Sequence, residues 1–368
     1  MLNFWSKRMF TSQGCKGNGY LVFCDNGTPK TVATESYVLY TRDFKTYTVT
    51  KLDSNPSFFG SAVLNGQLFV WMRIYKGQYS NEINSQPKYE DVIYKANEDG
   101  SFETVLSGRI APENSTTALL NGYNGRFASN SKQVIGSWRH RFYGETSISS
   151  DFVNWGPLSG QETNEARRVS SPLCRDGVLY HVKGLSNGNC IIRRSYDGIS
   201  WHDGNELGHR GNDYPTYLAA CDSFFILTAG ATSSNNYDET TRCSVSSDGV
   251  TWHSRSLPIS MYAYPVAGKL FILLHDSKGR FVRATGVDSF TSVTPTFDGG
   301  GFPATAGHSI WAVDGGERLI FISQKEKKVY ESADGLQFTS LGEIPLELKP
   351  ADNPLYPDSE IVHGLVEL

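Results

Sequence analysis

The chain has 368 residues, enough for one large single-core domain or two ordinary ones, and carries 36 Gly, 19 Tyr, 20 Phe and 7 Trp against only 20% charged residues. That profile excludes a helical bundle, which needs Ala, Leu, Glu and Lys, and a disordered chain, which needs more charge and fewer aromatic rings. A net charge of -4 and a pI of about 6.1 leave no basic footprint for nucleic acid or for an anionic membrane, so neither is expected as a partner.

From the N-terminus, MLNFWSKRMFTSQG places Lys7 and Arg8 where a secretory signal would need an apolar run, and no export signal is legible. The longest apolar runs, Leu68 to Met72 and Leu270 to Leu274, are five residues long, so no membrane insertion is expected. The six cysteines form no Cys-x-x-Cys pair and have no histidine at zinc-finger spacing, and the eight histidines do not cluster. Buried free thiols, no metal and no cofactor are the expectation. Cys15 and Cys24 are the one pair near enough in sequence for a local hairpin disulfide, which stays open here.

A repeat then runs the length of the chain. It reads TRDFKTY (Thr41 to Tyr47), NEDGSF (Asn97 to Phe102, one residue short), SSDFVNW (Ser149 to Trp155), SYDGISW (Ser195 to Trp201), SSDGVTW (Ser246 to Trp252), the weak TGVDSF (Thr285 to Phe290) and SADGLQF (Ser332 to Phe338). The aspartates, at 43, 99, 151, 197, 248, 288 and 334, are separated by 56, 52, 46, 51, 40 and 46 residues. A period of that size marks stacked or radially arranged units. Each copy is preceded by an alternating run such as NCIIRRS, TTRCSVS or KKVYES, and earlier by a more apolar one such as KLFILLH or ERLIFIS. Four short strands per unit, with no convincing helical period, predict an all-β, seven-bladed β-propeller of four-stranded antiparallel blades, with six blades as the alternative if the weak copy or the N-terminal strands fail. Residues 1–35 would supply two strands of the first blade. The propeller would span residues 1–345, and within residues 346–368 the segment SEIVHGLVEL reads as a strand that could return to close the ring.

In each copy a hydroxyl and a carboxylate two residues apart can bond the backbone across a tight turn, while Gly takes the positive φ the turn requires and the aromatic ring folds back onto the blade. These copies resemble the Asp-box repeat, S-x-D-x-G-x-T-W, of sialidases and their relatives. The resemblance implies that the boxes lie between the third and fourth strands, on the face away from the ligand, and that Asp43, Asp151, Asp197, Asp248 and Asp334 are structural.

The opposite face would be built from second-to-third strand loops and blade connections, where function is expected on a rigid scaffold. The longest loop reads Arg73 to Asp91 and carries Tyr75, Tyr79 and Tyr89; SWRHRFYGE offers Trp138, Arg139 and Arg141; further candidates are Arg168, Tyr214, Tyr237 and Tyr264. Flat rings mixed with amides and guanidinium groups suit a glycan or a protein partner. The resemblance permits a test for sialidase activity: the Phe/Tyr-Arg-Ile/Leu-Pro motif that the family carries near the start of its propeller is absent, and GRIAP (Gly108 to Pro112) has its proline displaced. Arg193 and Arg194 would be further members of any anionic-sugar clamp. The expectation is a non-catalytic propeller of a bacteriophage virion, with no catalytic residues, binding a host-surface glycan or a neighbouring structural protein. Alternatives are a sialidase-like glycoside hydrolase and a cytoplasmic interaction scaffold. The virion setting follows from a surface suited to an extracellular ligand on a chain with no legible export signal.

Overall fold

A computed structural model describes residues 19–25, 35–78, 87–110, 125–139, 144–158, 172–185, 189–208, 213–231, 241–257, 259, 263–276, 279–298, 308–323, 326–346 and 362–368. Its strands form seven sheets, each built on four antiparallel strands. β1 (Tyr20–Asp25), β2 (Ser36–Thr41) and β3 (Thr48–Lys51) belong to blade I. Blade II is β4 (Ser57–Leu64), β5 (Gln67–Gln78), β6 (Pro87–Ala96) and β7 (Phe102–Ile110). Blade III is β8 (Gly125–Ser129), β9 (Val134–Arg139), β10 (Gly144–Ser149) and β11 (Gly156–Pro157), and blade IV is β12 (Leu173–Arg175), β13 (Val178–Gly184), β14 (Cys190–Ser195) and β15 (His202–Leu207). Blade V is β16 (Asp213–Ala220), β17 (Phe225–Ala231), β18 (Thr241–Ser246) and β19 (His253–Leu257); blade VI is β20 (Tyr264–Ala267), β21 (Ile272–His275), β22 (Phe281–Gly286) and β23 (Ser289–Val293). Blade VII holds β25 (His308–Val313), β26 (Arg318–Ser323), β27 (Lys328–Ser332) and β28 (Gln337–Glu343), with the two-residue β24 (Thr296–Phe297) added in parallel outside β28.

The ring closes through the last strand, β29 (Val362–Glu367), which pairs antiparallel with β1 and is the innermost strand of blade I. The expectation of two strands from residues 1–35 is corrected accordingly: β1 comes from that segment, and its inner neighbour comes from the other end of the chain. Seven blades stand, and the six-blade alternative falls, because the unit with the weakest motif still forms a full four-stranded blade VI. There Asp288 pairs with Arg255 of blade V at 2.5 Å. Among the described residues no helix is long and apolar enough to cross a membrane.

Seven apolar clusters hold the ring, one between each pair of neighbouring blades. The alternation of a strand explains this arrangement, since successive side chains point to opposite faces of a sheet and both faces of a blade are covered. In β26, Leu319 and Phe321 pack towards blade VI while Ile320 and Ile322 pack towards blade I, which is why the run Leu319 to Ile322 within ERLIFIS is apolar without alternation. Cys24 is a buried free thiol inside β1, and Cys15 lies outside the described residues.

The repeated motifs sit on the turns between third and fourth strands. In blade IV the Asp197 carboxylate accepts from the amides of Ile199 and Ser200 at 2.8 and 2.7 Å, and from the Ser195 hydroxyl at 3.0 Å. Those amides and that hydroxyl hold the carboxyl well below its usual range, so it is a fixed acceptor. The same bonds recur around Asp43, Asp151, Asp248 and Asp334. The ring then bonds the turn: Trp155 Nε1 donates to the Phe152 carbonyl at 3.1 Å and Trp201 Nε1 to that of Gly198 at 3.2 Å.

One slot of the motif, the residue after the Asp, is left-handed in every full copy, yet it holds Gly in three and Phe in two. Gly198 and Gly249 have φ of 73° and 70°, and a Cβ there would lie 2.8 Å from Ile148 and 2.9 Å from Tyr180 of the preceding blade. Phe44 and Phe152, at φ 57° and 63°, are fully buried and fill the clusters against blades VII and II. Glycine stands where the preceding blade crowds the turn, and phenylalanine where it leaves a hole.

Candidate functional site

The segment from Arg73 to Asp91, expected as a loop, is mostly strand. β5 and β6 continue as a pair through Tyr75↔Tyr89 to Gln78↔Pro87. The inner partner β4 stops at Ser57↔Arg73 and the outer partner β7 at Glu90↔Ile110. Beyond that row the hairpin is a two-stranded ribbon leaving a four-stranded blade, on the end opposite the Asp99 turn.

Alternation places Trp71, Arg73 and Tyr75 on one side of β5, and register brings Tyr89 and Asp91 of β6 and Arg109 of β7 onto the same side. That side faces blade III, since Arg109 Nη1 donates to the Val153 carbonyl at 2.8 Å and Trp71 packs with Phe127, Phe152 and Trp155. Asp91, 1% exposed, accepts from Trp71 Nε1 at 2.9 Å and from Arg73 Nε at 3.0 Å, with Arg109 Nε at 3.4 Å from its other oxygen. Arg73 is 4% exposed and its guanidinium lies 3.7 Å over the Phe59 ring, with Trp71 and Tyr89 at 5.4 and 5.6 Å. Burial pulls its pKa down and Asp91 pulls it back up; a guanidinium stays charged regardless. A buried cation surrounded by ring faces in this way gains cation–π attraction that solvent does not screen.

Above this floor Tyr75 and Tyr89, both half-buried, meet edge to face at 5.9 Å. Chemically the arrangement offers two flat rings on a ribbon, anchored by a carboxylate already engaged with three donors. Such a carboxylate orients its neighbours and is poorly placed to exchange protons with a substrate.

Of the residues singled out from sequence, Tyr75 and Tyr89 come together here. Trp138 and Arg139 end β9 of blade III, and Tyr214 lies in β16, not in a blade connection. Tyr79, Arg141, Arg168 and Tyr237 lie outside the described residues. Tyr264 lies in β20 and not in a blade connection; it is 3% exposed and packs between Tyr217 at 5.1 Å and His275 at 5.4 Å. Tyr217 in turn carries the Arg126 guanidinium at 4.2 Å, a contact that joins blades III and V past blade IV. Arg193 is committed within blade IV, to Asp203 at 2.8 Å and beneath Trp201. Sequence reasoning passed over Trp71, Arg73, Asp91 and Arg109 as site residues. The signal was present, because W-x-R-x-Y and Y-x-D alternate with period two and so mark strands with one functional side. Among the described residues, no three His, Cys, Asp or Glu side chains gather as metal ligands.

No family model matches this chain, and no curated protein matches it. Among solved structures it is similar to a putative 6-phosphogluconolactonase from Bacteroides uniformis, at 12% identity and a TM-score of 0.52, over 95% of this chain and 98% of the other. It is also similar to an uncharacterized protein from Listeria monocytogenes (10% identity, TM-score 0.47, 94% and 100% covered) and to apo AztD from Citrobacter koseri (10%, 0.44, 94% and 97%). At 12% identity the first of these likenesses speaks for the propeller fold alone.

Proposed function

We infer that this chain is a non-catalytic Asp-box propeller of a bacteriophage virion, and that it binds a host-surface glycan along the side of the blade II ribbon that faces blade III. The observation that carries the reading is the Tyr75–Tyr89 pair standing on the buried Arg73–Asp91 pair and the half-buried Arg109. Tyrosine rings present flat apolar area at low entropic cost with a hydroxyl at the tip, which matches the alternation of C–H faces and hydroxyls on a sugar. Binding is favoured over hydrolysis because Asp91, the carboxylate beneath the two rings, is already engaged by three donors. The box aspartates are likewise engaged by their own turns, on the far end of each blade. The Asp-box reading rests on that recurrent turn geometry, and the virion setting on the resemblance together with a surface suited to an extracellular ligand.

Binding of the full chain to an array of bacterial surface glycans tests the reading. The wild type is expected to bind, and Tyr89→Ala is expected to lower affinity at least about tenfold with the far-UV spectrum unchanged, in line with the loss of one stacked ring. A folded wild-type protein that binds no glycan, or a variant that binds equally well, refutes the site. Purified particles that lack the protein refute the virion setting separately.

A further inference from the structure

The paired strands β1 and β29 meet blade VII at the seam between blade VII and blade I, and two acids, Glu367 and Asp314, stand at that seam. Glu367, the last residue of β29, is 1% exposed. It pairs in register with Tyr20 of β1, and both its carboxyl oxygens accept from the Asp314 amide, at 3.1 and 3.2 Å. Asp314 opens the short 3₁₀ turn Asp314–Gly316 between β25 and β26, with φ of 54°. Its own carboxylate accepts from the Tyr20 hydroxyl at 2.8 Å and from Arg318 Nε at 2.5 Å. Arg318, on β26, also donates to Tyr20 and to Glu331 of β27. β4, which packs on the other side of β29, brings no ionisable side chain.

One cation thus stands among three carboxyl groups and pairs with two of them. Arg318 is committed to Asp314 and Glu331, and Glu367, the most deeply buried of the three acids, forms no ion pair of its own among the described residues. The Asp314 amide holds the Glu367 carboxyl beside the partly exposed Asp314 carboxylate, and a proton taken up there removes both the repulsion between the two charges and the cost of burying that of Glu367. We propose that the blade VII–blade I seam is a proton-operated latch: the carboxyl groups of Glu367 and Asp314 share one proton that holds the C-terminal strand in the ring, and loss of that proton loosens this strand ahead of the other blades. The electrostatics agree in direction: burial first, and then the Asp314 charge, push Glu367 up against the pull of the Asp314 amide, while for Asp314 burial works upward but Tyr20 and Arg318 outweigh it and hold it down.

The sign follows from linkage. A carboxyl whose folded pKa is raised binds its proton more tightly in the closed state, so closure is strongest in mild acid and weakens as pH rises towards neutrality. The other end of β29 carries His363, 3.3 Å from Asp25, and this contact is an ion pair only when the imidazole is protonated. The test must therefore separate the two ends of the strand. Amide hydrogen exchange, corrected for intrinsic pH dependence, is measured at pH 5 and pH 7.5 on the peptide covering residues 362–368, with residues 57–64 as the internal reference. In the wild type, protection of 362–368 is expected to fall about tenfold per pH unit across the window of one linked proton, while 57–64 holds. Glu367→Gln keeps a donor towards Asp314 and leaves the His363–Asp25 pair intact, so whatever pH dependence it retains belongs to that pair and its fall should be clearly shallower than the wild type's. If that variant does not fold, Asp314→Asn, which removes the neighbouring charge, should move the midpoint to lower pH. Parallel behaviour of the two peptides in the wild type overturns the proposal. So does the same fall in Glu367→Gln, or an unmoved midpoint in Asp314→Asn.

Discussion

Replacing Phe152 by alanine and by glycine should reverse the usual order of these two substitutions. The Phe152 ring is fully buried between blades II and III, within 5.3 to 6.2 Å of Phe127, Trp155, Phe69 and Trp71. Truncating a phenylalanine in such a cluster costs about 3 to 5 kcal/mol, the lost transfer energy plus the cavity left behind. The backbone, however, is left-handed at φ 63°, where a Cβ costs about 1 kcal/mol that glycine does not incur. Phe152→Gly should therefore be the more stable of the two variants by about 1 kcal/mol, whereas glycine is ordinarily the worse choice within regular structure. The assay is urea unfolding followed by tryptophan emission, comparing midpoints at equal m-value. A Phe152→Ala midpoint at or above that of Phe152→Gly would refute the idea that the ring holds the turn in a strained conformation. A loss below about 1 kcal/mol in both would refute the filled pocket.

Asp91→Asn should destabilise the protein by about 3 kcal/mol or more, because it leaves the buried Arg73 without its counter-charge. A thermal melt together with a shift in Trp71 emission checks this, and a loss under about 1 kcal/mol would show that the pair is not desolvated. In acid, Asp248 supplies the test of the repeated turns: although its partial burial works the other way, the amides of Thr251 and Val250 and the Ser246 hydroxyl hold its pKa at about 2. A depressed carboxyl stabilises fully above its unfolded pKa and loses that contribution as pH falls through the folded one. Wild type should therefore exceed Asp248→Asn by about 1 kcal/mol at pH 5, after solvent screening, with the gap closed near pH 2. Unfolding curves of both proteins at the two pH values measure it, and a gap unchanged in acid counts against the turn mechanism.

The features decided by the sequence itself are those whose forces act within a few residues. A hydroxyl, a carboxylate and a left-handed slot make the same turn wherever they occur, so Ser195 to Trp201 and Ser246 to Trp252 are equivalent by residue type alone, and the spacing of the copies counts the blades. The apolar runs ahead of them are legible because each blade is covered on both faces. Tertiary structure decided whatever depends on register or on a neighbour distant in sequence. The strand that completes blade I lies more than three hundred residues from its partner β1; SEIVHGLVEL is legible as a strand that could close the ring, yet no local pattern sets its register against β1. Tyr75 and Tyr89 are legible as residue types, yet only the pairing of β5 with β6 sets them on one side above Arg73 and Asp91. The choice of Phe152 or Gly198 in one and the same turn position is likewise settled from outside, by whether the preceding blade leaves a cavity or a wall. Turn chemistry is short-ranged, whereas burial is a property of what another part of the chain brings alongside.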